Sequence, residues 1–357
     1  ESLPCRCVGI TGSVGKTTTK EMIAAVLRTA LRTQWTEKNY NNEIGLPVSV
    51  LRLKPDCEAA VLEMGMNHFG ELSVLTRIAQ PDLAVITNIG TMHIENLGSR
   101  EGILRAKLEI LEGLRPGGRV IFNGDDALLR PLAARYHAVC FGLSEGCDVR
   151  ASRVCESAEG SKFTVHAFGK SFEAALSVPG LHNVLDALAA AAVGLLLGLS
   201  PEQIAEGLRS YAPLRQRVSH AAGMTIIDDC YNAGPESMRA ALRVLAGTPT
   251  EGRRIAVLGG MLELGDFAPE LHAGVGREAA KAADLLLAYG PCSECYVQGA
   301  HEAGLAGARA FATHDALVAA LEETCRAGDT LLFKGSHGMH MEQVLARLLK
   351  TKEHMGE

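Results

Sequence analysis

The stretch GITGSVGKTTTK at residues 9–20 places glycines, a lysine and threonines between a short apolar run and a helical pattern. Consecutive backbone N–H groups in such a turn point into one concavity, and the helix N-terminus adds positive potential, so this is an anion site. Lys16 supplies a full charge for terminal phosphates, and the Thr17 hydroxyl suits Mg²⁺. Gly12, Ser13, Val14, Gly15, Lys16, Thr17 and Thr18 are the candidate nucleotide contacts. The general phosphate-loop pattern wants a glycine five residues before Gly15, and this chain has Ile10 there.

A magnesium nucleotide also needs hard oxygen ligands. Glu63 ends the apolar run 59–64, at the sheet edge where ligands of parallel α/β folds bind. His93 follows a third strand candidate and is a possible ligand or phosphate contact. Lys107, judged by spacing alone, reads as a solvated helix lysine. Asn183 and Asp186 are three apart and share a helix face, where they could read a base edge or simply cap the helix. Asp228 and Asp229 end a later strand, a common place for a ribose or cation contact. The last strand closes on Lys334, Gly335, Ser336 and His337, another polar loop.

The elements that must position these residues alternate. Strand candidates at residues 7–11, 59–64, 83–89 and 119–122 are each followed by a turn or a helical stretch, with helices expected over 16–32 and 100–114. That pattern predicts βαβ units and a mostly parallel sheet covered on both faces. Residues 152–176 change to period two, which predicts an appended antiparallel hairpin. A long alanine-rich helix opens after Pro179, and a linker is expected near residues 211–215. A second α/β block follows, with strands expected at 224–230, 254–258, 285–289 and 330–333. The expected fold is α/β, with a phosphate-loop domain over 1–213 and a Rossmann-like domain over 214–357.

At 357 residues two domains are the natural expectation. A net charge of −6 argues against a nucleic-acid partner, which would need clustered Lys and Arg. No apolar run approaches the ~20 residues that span a bilayer, so no membrane insertion is expected. Ten scattered cysteines read as reduced thiols of a cytoplasmic chain. Cys292 and Cys295 have the C-x-x-C spacing of a redox or zinc site, but no second pair lies at a matching distance, so no role is expected for them.

Taken in order, TGSVGKTTTKEM, YNNEIGLPVSVL, EMGMNHFGEL, TNIGTMHIENLGS with AKLEIL, GLHNVLDALAA, IDDCYNAGPESM, LGGMLELG and KGSHGMHME resemble the ATP-dependent Mur ligases of peptidoglycan synthesis over essentially the whole chain. The similarity is greatest to the branch that adds D-Ala-D-Ala to UDP-N-acetylmuramoyl-tripeptide. The resemblance implies an ATP-dependent amide ligase working through an acyl phosphate. It implies Lys16, Glu63, His93 and Lys107 as the catalytic set, with two Mg²⁺ ions served by Thr17, Glu63, His93 and a carbamoylated Lys107. It further implies Asn183 and Asp186 at the adenine, Asp229 at the ribose and Arg217 at the γ-phosphate, the second domain closing over the first. Asn41, Asn42, Tyr231, Asn232, Lys334 and Ser336 would serve the substrates, in a monomer.

The chain departs from the family pattern at Asp186, where Asn is usual, at Gly234 for Asn, at Gly260 for Asp and at His337 for Arg. The family also carries a domain of about a hundred residues ahead of the phosphate loop. Because Glu1 rather than Met opens this sequence, a fragment is expected, or else a ligase that recognises its acceptor without that domain. Two other readings stay open: a Mur-like ligase for another acceptor such as an amino-acid polymer or a folate, and a phosphate-loop module without ligase activity.

Overall fold

The computed structural model describes residues 5–157, 160–212 and 217–354. The chain divides into two compact units, Glu1–Ala212 and Pro213–Glu357. The expected linker falls partly on residues 213–216, outside the described residues.

Strands of the first unit are β1 (Arg6–Thr11), β2 (Thr33–Trp35), β3 (Ala59–Glu63), β4 (Leu83–Ile86), β5 (Arg119–Asn123), β6 (Val139–Gly142), β7 (Val149–Ser157), β8 (Gly160–Ala167) and β9 (Lys170–Leu176). They form one sheet in the order β2-β3-β1-β4-β5-β6-β7-β8-β9, parallel from β2 to β7 and antiparallel through β8 and β9. Its helices are α1 (Lys16–Leu27), α2 (Gly45–Leu51), α3 (Glu71–Ala79), α4 (Ile94–Leu97), α5 (Arg100–Leu108), α6 (Ala133–Tyr136), α7 (Leu181–Leu196) and α8 (Pro201–Ser210).

Strands β3 and β4 are buried along their whole length, as the apolar runs require when helices cover both faces. Met22, Ile23, Val26 and Leu27 of α1 share one core with Val184, Leu188 and Val193 of α7 and with Val8, Ile10, Val61 and Val85 of the sheet. Each such buried side chain contributes about 1.5–3 kcal/mol. The packing therefore fixes α1, and the turn that precedes it, firmly against the sheet.

Several boundaries differ from the sequence expectation. The helix expected over 16–32 ends at Leu27, where Thr29 and Ala30 bond back three residues at 3.2 and 3.1 Å and tighten the last turn. Strand β2 follows at Thr33–Trp35 and pairs with β3. The strand expected over 83–89 stops at Ile86, since Thr87 and Asn88 spend their side chains on the phosphate loop. The helix expected over 100–114 is α5 followed by a 3₁₀ turn, Glu109–Gly113. The appended hairpin is three strands, β7 to β9, continuing the main sheet.

In the second unit the strands are β10 (Arg217–Ala221), β11 (Met224–Asp229), β12 (Arg254–Gly259), β13 (Leu285–Tyr289), β14 (Ala308–Phe311) and β15 (Thr330–Lys334). Their order is β10-β11-β15-β12-β13-β14, and only the edge pair β10–β11 is antiparallel. The helices are α9 (Pro235–Gly247), α10 (Ala268–Ala282), α11 (Ser293–Glu302), α12 (His314–Thr324) and α13 (Met341–His354). Both edge strands, β10 and β14, were absent from the sequence expectation, because they are short and carry polar residues that blur the apolar run. Among the described residues no helix is long and apolar enough to cross a membrane.

Candidate nucleotide and metal site

The phosphate loop leaves β1 at Thr11 and enters α1 at Lys16. Gly15 stands at the helix N-cap with φ 87°, a conformation that excludes most side chains, and α1 has neither a side-chain cap nor an acid in its first turn. Its leading N–H groups thus keep their positive potential for an anion. The loop is held from behind by the segment after β4. Ser13 N donates to Asn88 O at 3.1 Å and Val14 N to Asn88 Oδ1 at 3.0 Å. Thr87 Oγ1 and Asn88 Nδ2 both donate to Val14 O, at 2.6 and 2.9 Å, and Gly90 N donates to Ser13 Oγ at 2.9 Å. These bonds hold the cradle in shape before any anion arrives.

Lys16 folds over this loop, its Nζ donating to Gly12 O at 2.8 Å and Ser13 O at 3.3 Å. Thr17 is buried and its hydroxyl donates to Glu63 Oε1 at 3.2 Å. Asn41 Nδ2 donates to the same oxygen at 2.8 Å. The other carboxylate oxygen, Glu63 Oε2, is buried without a hydrogen-bond partner, with Lys20 Nζ 3.8 Å away. An orphaned hard oxygen beside a threonine hydroxyl fits Mg²⁺. Among the described residues no cluster of three His, Cys, Asp or Glu side chains could hold a metal.

Lys107 overturns its reading as a solvated lysine. It is 2% exposed on α5, an uncommon setting for an ammonium. Burial, and then the neighbouring charge of Lys16, push its ammonium well below the ordinary lysine range. His93 follows β4 and precedes α4 in a left-handed conformation, φ 62°.

Asp186 lies under the loop, its Oδ1 accepting from Thr19 Oγ1 at 2.8 Å. A Cβ on Gly15 would sit 2.7 Å from that same oxygen, so only glycine fits over it. Desolvation pushes the Asp186 carboxyl up to about 8, against the Thr19 bond that lowers it. Asn183 Nδ2 donates to Pro179 O at 2.6 Å, engaging the amide at the helix entry. Asn42 is likewise engaged locally: its Oδ1 accepts from Ile44 N and Gly45 N and starts α2. Thr18 is half-buried on α1.

The second unit gathers its own polar cluster at the ends of β11 and β15. Lys334, 2% exposed, donates to Asp229 Oδ2 at 2.6 Å and to Asn232 O at 2.9 Å. Ser336 Oγ accepts from Leu262 N at 3.0 Å and lies 3.4 Å from Ala233 O. Tyr231 is exposed, with the His337 ring 6.0 Å away. Arg217 begins β10 opposite Asp228 in register, and its side chain is outside the described residues. Because Asp229 neutralises a buried ammonium, Asp229→Ala is expected to cost about 3 kcal/mol in urea unfolding. A loss below ~1 kcal/mol would mean that the pair is solvated.

Residues 10–194 match the Mur ligase middle domain, and residues 215–337 match the Mur ligase, glutamate ligase domain. The UDP-N-acetylmuramoyl-tripeptide–D-alanyl-D-alanine ligase of Bacillus subtilis is 40% identical over 98% of this chain and 77% of its own length. The chain belongs to the Mur ligase family. The ligase of the same name from Escherichia coli is 35% identical over 98% of this Mur ligase and 78% of its own length. Among solved structures, MurF from Acinetobacter baumannii matches with a TM-score of 0.89 at 35% identity, covering 97% of this chain and 77% of that one. MurF ligase from Thermotoga maritima, in complex with ADP, matches with a TM-score of 0.88 at 30% identity, covering 98% and 81%.

Parts of this Mur ligase's site were absent from the sequence expectation. Lys20 is fully buried, donates to Thr36 O at 2.7 Å and stands near Glu63. Its place four residues after Lys16, on the same face of α1, was the available signal. Thr36 Oγ1 accepts from Glu63 N at 3.0 Å, and Asp126 Oδ2 accepts from Ile89 N at 2.7 Å. No local pattern announces either, since both act through partners distant in sequence.

Proposed function

We propose that this Mur ligase joins D-Ala-D-Ala to the free carboxylate of UDP-N-acetylmuramoyl-tripeptide, consuming ATP, in peptidoglycan precursor synthesis. The reading rests on a phosphate loop whose Thr17 shares the buried Glu63 with Asn41, in a chain 40% identical to such a ligase over 356 residues. A carboxylate is a poor acylating agent. Its oxygen attacks the γ-phosphorus of ATP, forming an acyl phosphate as the bridging P–O bond breaks and ADP leaves. The amine of D-Ala-D-Ala then attacks the acyl carbon, and phosphate departs from the tetrahedral intermediate as the nitrogen gives up its proton.

Two anions must meet in the first step, and Lys16 offsets that repulsion from the loop side. Mg²⁺, when bound, screens the phosphate charge further. Thr17 and Glu63 would hold the first ion and His93 would serve a second. In the same reading Lys107 is carbamoylated. A neutral amine adds to CO₂, forming an N–C bond and releasing a proton, and a buried lysine whose ammonium is disfavoured supplies that amine. The product carries a negative charge beside Lys16, which turns a repulsion into an attraction. Asp186 and Asn183 attend the adenine and Asp229 the ribose, with Arg217 directed to the γ-phosphate. Tyr231, Asn232, Lys334, Ser336, Asn41 and Asn42 serve the substrates.

Phosphate release is expected to require both the acceptor peptide and D-Ala-D-Ala. Omitting either should leave only background hydrolysis in a coupled phosphate assay. ATP turnover indifferent to both would instead identify a nucleotide-binding module without ligase activity, and turnover restored by another acceptor would reassign the substrate.

A further inference from the structure

The C-x-x-C pair takes no part in the ligase chemistry, yet the fold places it with care. Gly290 and Pro291 leave β13 and lead into Cys292, which caps α11 in a left-handed conformation, φ 58°. Cys295 N and Tyr296 N both bond back to Cys292 O, at 3.0 and 3.3 Å, so the two cysteines flank the first turn of the helix with their side chains in hydrogen-bond contact. A disulfide needs Cβ atoms roughly 3.5–4.5 Å apart, and two thiols already in side-chain contact are a small movement from that distance. Both are half-buried, so a small solute can reach them. Burial and the adjacent Cys295 sulfur raise the Cys292 thiol, as expected of two thiols in contact.

The same turn carries Tyr296, fully buried, whose hydroxyl donates to Gly259 O at 3.2 Å. The ring of His272 packs on it at 4.6 Å, and His272 Nε2 accepts from Met261 N at 3.0 Å. The Pro291 carbonyl lies against Gly260, where a Cβ would come within 3.0 Å. Ser336 N donates to Gly260 O at 3.1 Å, and Ser336 Oγ takes the Leu262 N–H. These contacts join the cysteine turn to the loop after β12 and to the end of β15.

We propose that Cys292 and Cys295 form a reversible disulfide by exchange with a low-molecular-weight disulfide, and that its closure slows the enzyme. One cysteine thiolate attacks a sulfur of the small disulfide, breaking its S–S bond and expelling one small thiol. The second cysteine thiolate attacks the mixed disulfide and expels the other. Two electrons pass to the small disulfide, and the two cysteine protons end on the two thiols released. The half-closed turn then draws together and pulls Tyr296 and Pro291 away from their contacts with residues 259–261.

The experiment treats the full chain with glutathione disulfide, alkylates the remaining thiols and maps the peptides by mass. The peptide holding both cysteines should lose two hydrogens and resist alkylation. Phosphate release should fall by up to about a hundredfold, the scale of a 1 Å misplacement near the chemistry, and recover with dithiothreitol. The Cys292→Ser/Cys295→Ser double variant should keep its activity in the oxidant, while Cys292→Ser alone should carry a stable glutathione adduct on Cys295. The proposal is overturned if the pair stays alkylatable, if the bond forms between other cysteines instead, if turnover is unchanged once the disulfide is present, or if the double variant is inhibited equally. The mass change is read on the unaltered protein, so its outcome stands whether or not the ligase reading holds.

Discussion

Lys107→Ala is expected to lower ligase turnover by about a hundred- to a thousandfold, and short carboxylates such as formate or acetate should restore part of the loss. The magnitude is that of removing one preorganised charge from a site that stabilises transferring phosphoryl groups. Rescue follows from the proposed carbamate, because a small carboxylate entering the vacated space returns the anion that the alanine lacks. Lys107→Arg should be as inactive as the alanine variant and unresponsive to the same acids, since a guanidinium does not take up CO₂ and fills the space. Turnover is read as phosphate release, with far-UV circular dichroism to confirm folding. Unimpaired activity in Lys107→Ala, or loss without rescue in a folded protein, would leave the buried lysine without the proposed chemistry.

Asp186→Asn should produce the largest change in stability, and the change should depend on pH. In the folded chain the carboxyl is pushed up to about 8 from an ordinary value of 3.8, chiefly by desolvation. The folded state therefore holds a proton that the unfolded state has released between those values, and stability falls as pH rises from about 4 to about 8 before levelling off. Each pH unit crossed in that window costs about 1.4 kcal/mol, so the full window sets an upper bound of about 6 kcal/mol. Asparagine keeps an acceptor for the Thr19 hydroxyl and does not titrate. Urea unfolding at pH 5 and pH 8 should show the variant gaining on its parent at the higher pH. Parallel slopes for the two proteins would mean that Asp186 is solvated in the folded state. The family's usual asparagine at this position, named from the motif alone, agrees with the direction expected.

What the sequence by itself determined was whatever depends on neighbours in the chain. Apolar runs separated by helical periodicity dictate buried parallel strands, and the phosphate loop is legible because its glycines, Lys16 and Thr17 act within one turn of backbone. Motif order was enough to name the family. Boundaries were less certain where a tertiary bond competes with a helical or extended continuation, as at Leu27 and Ile86. Only the tertiary structure decided which side chains meet. Parallel register in β1, β3 and β4 brings Glu63 to Thr17 and the Thr87–Asn88 segment to the loop, while α7 delivers Asp186 beneath Gly15 from far along the chain. It also buried Lys107, which its spacing assigns to solvent, and joined Lys334 to Asp229 across 105 positions. The reason is that turn and helix preferences are local backbone energies, whereas burial and charge pairing depend on sheet order and helix packing, which no short window of sequence contains.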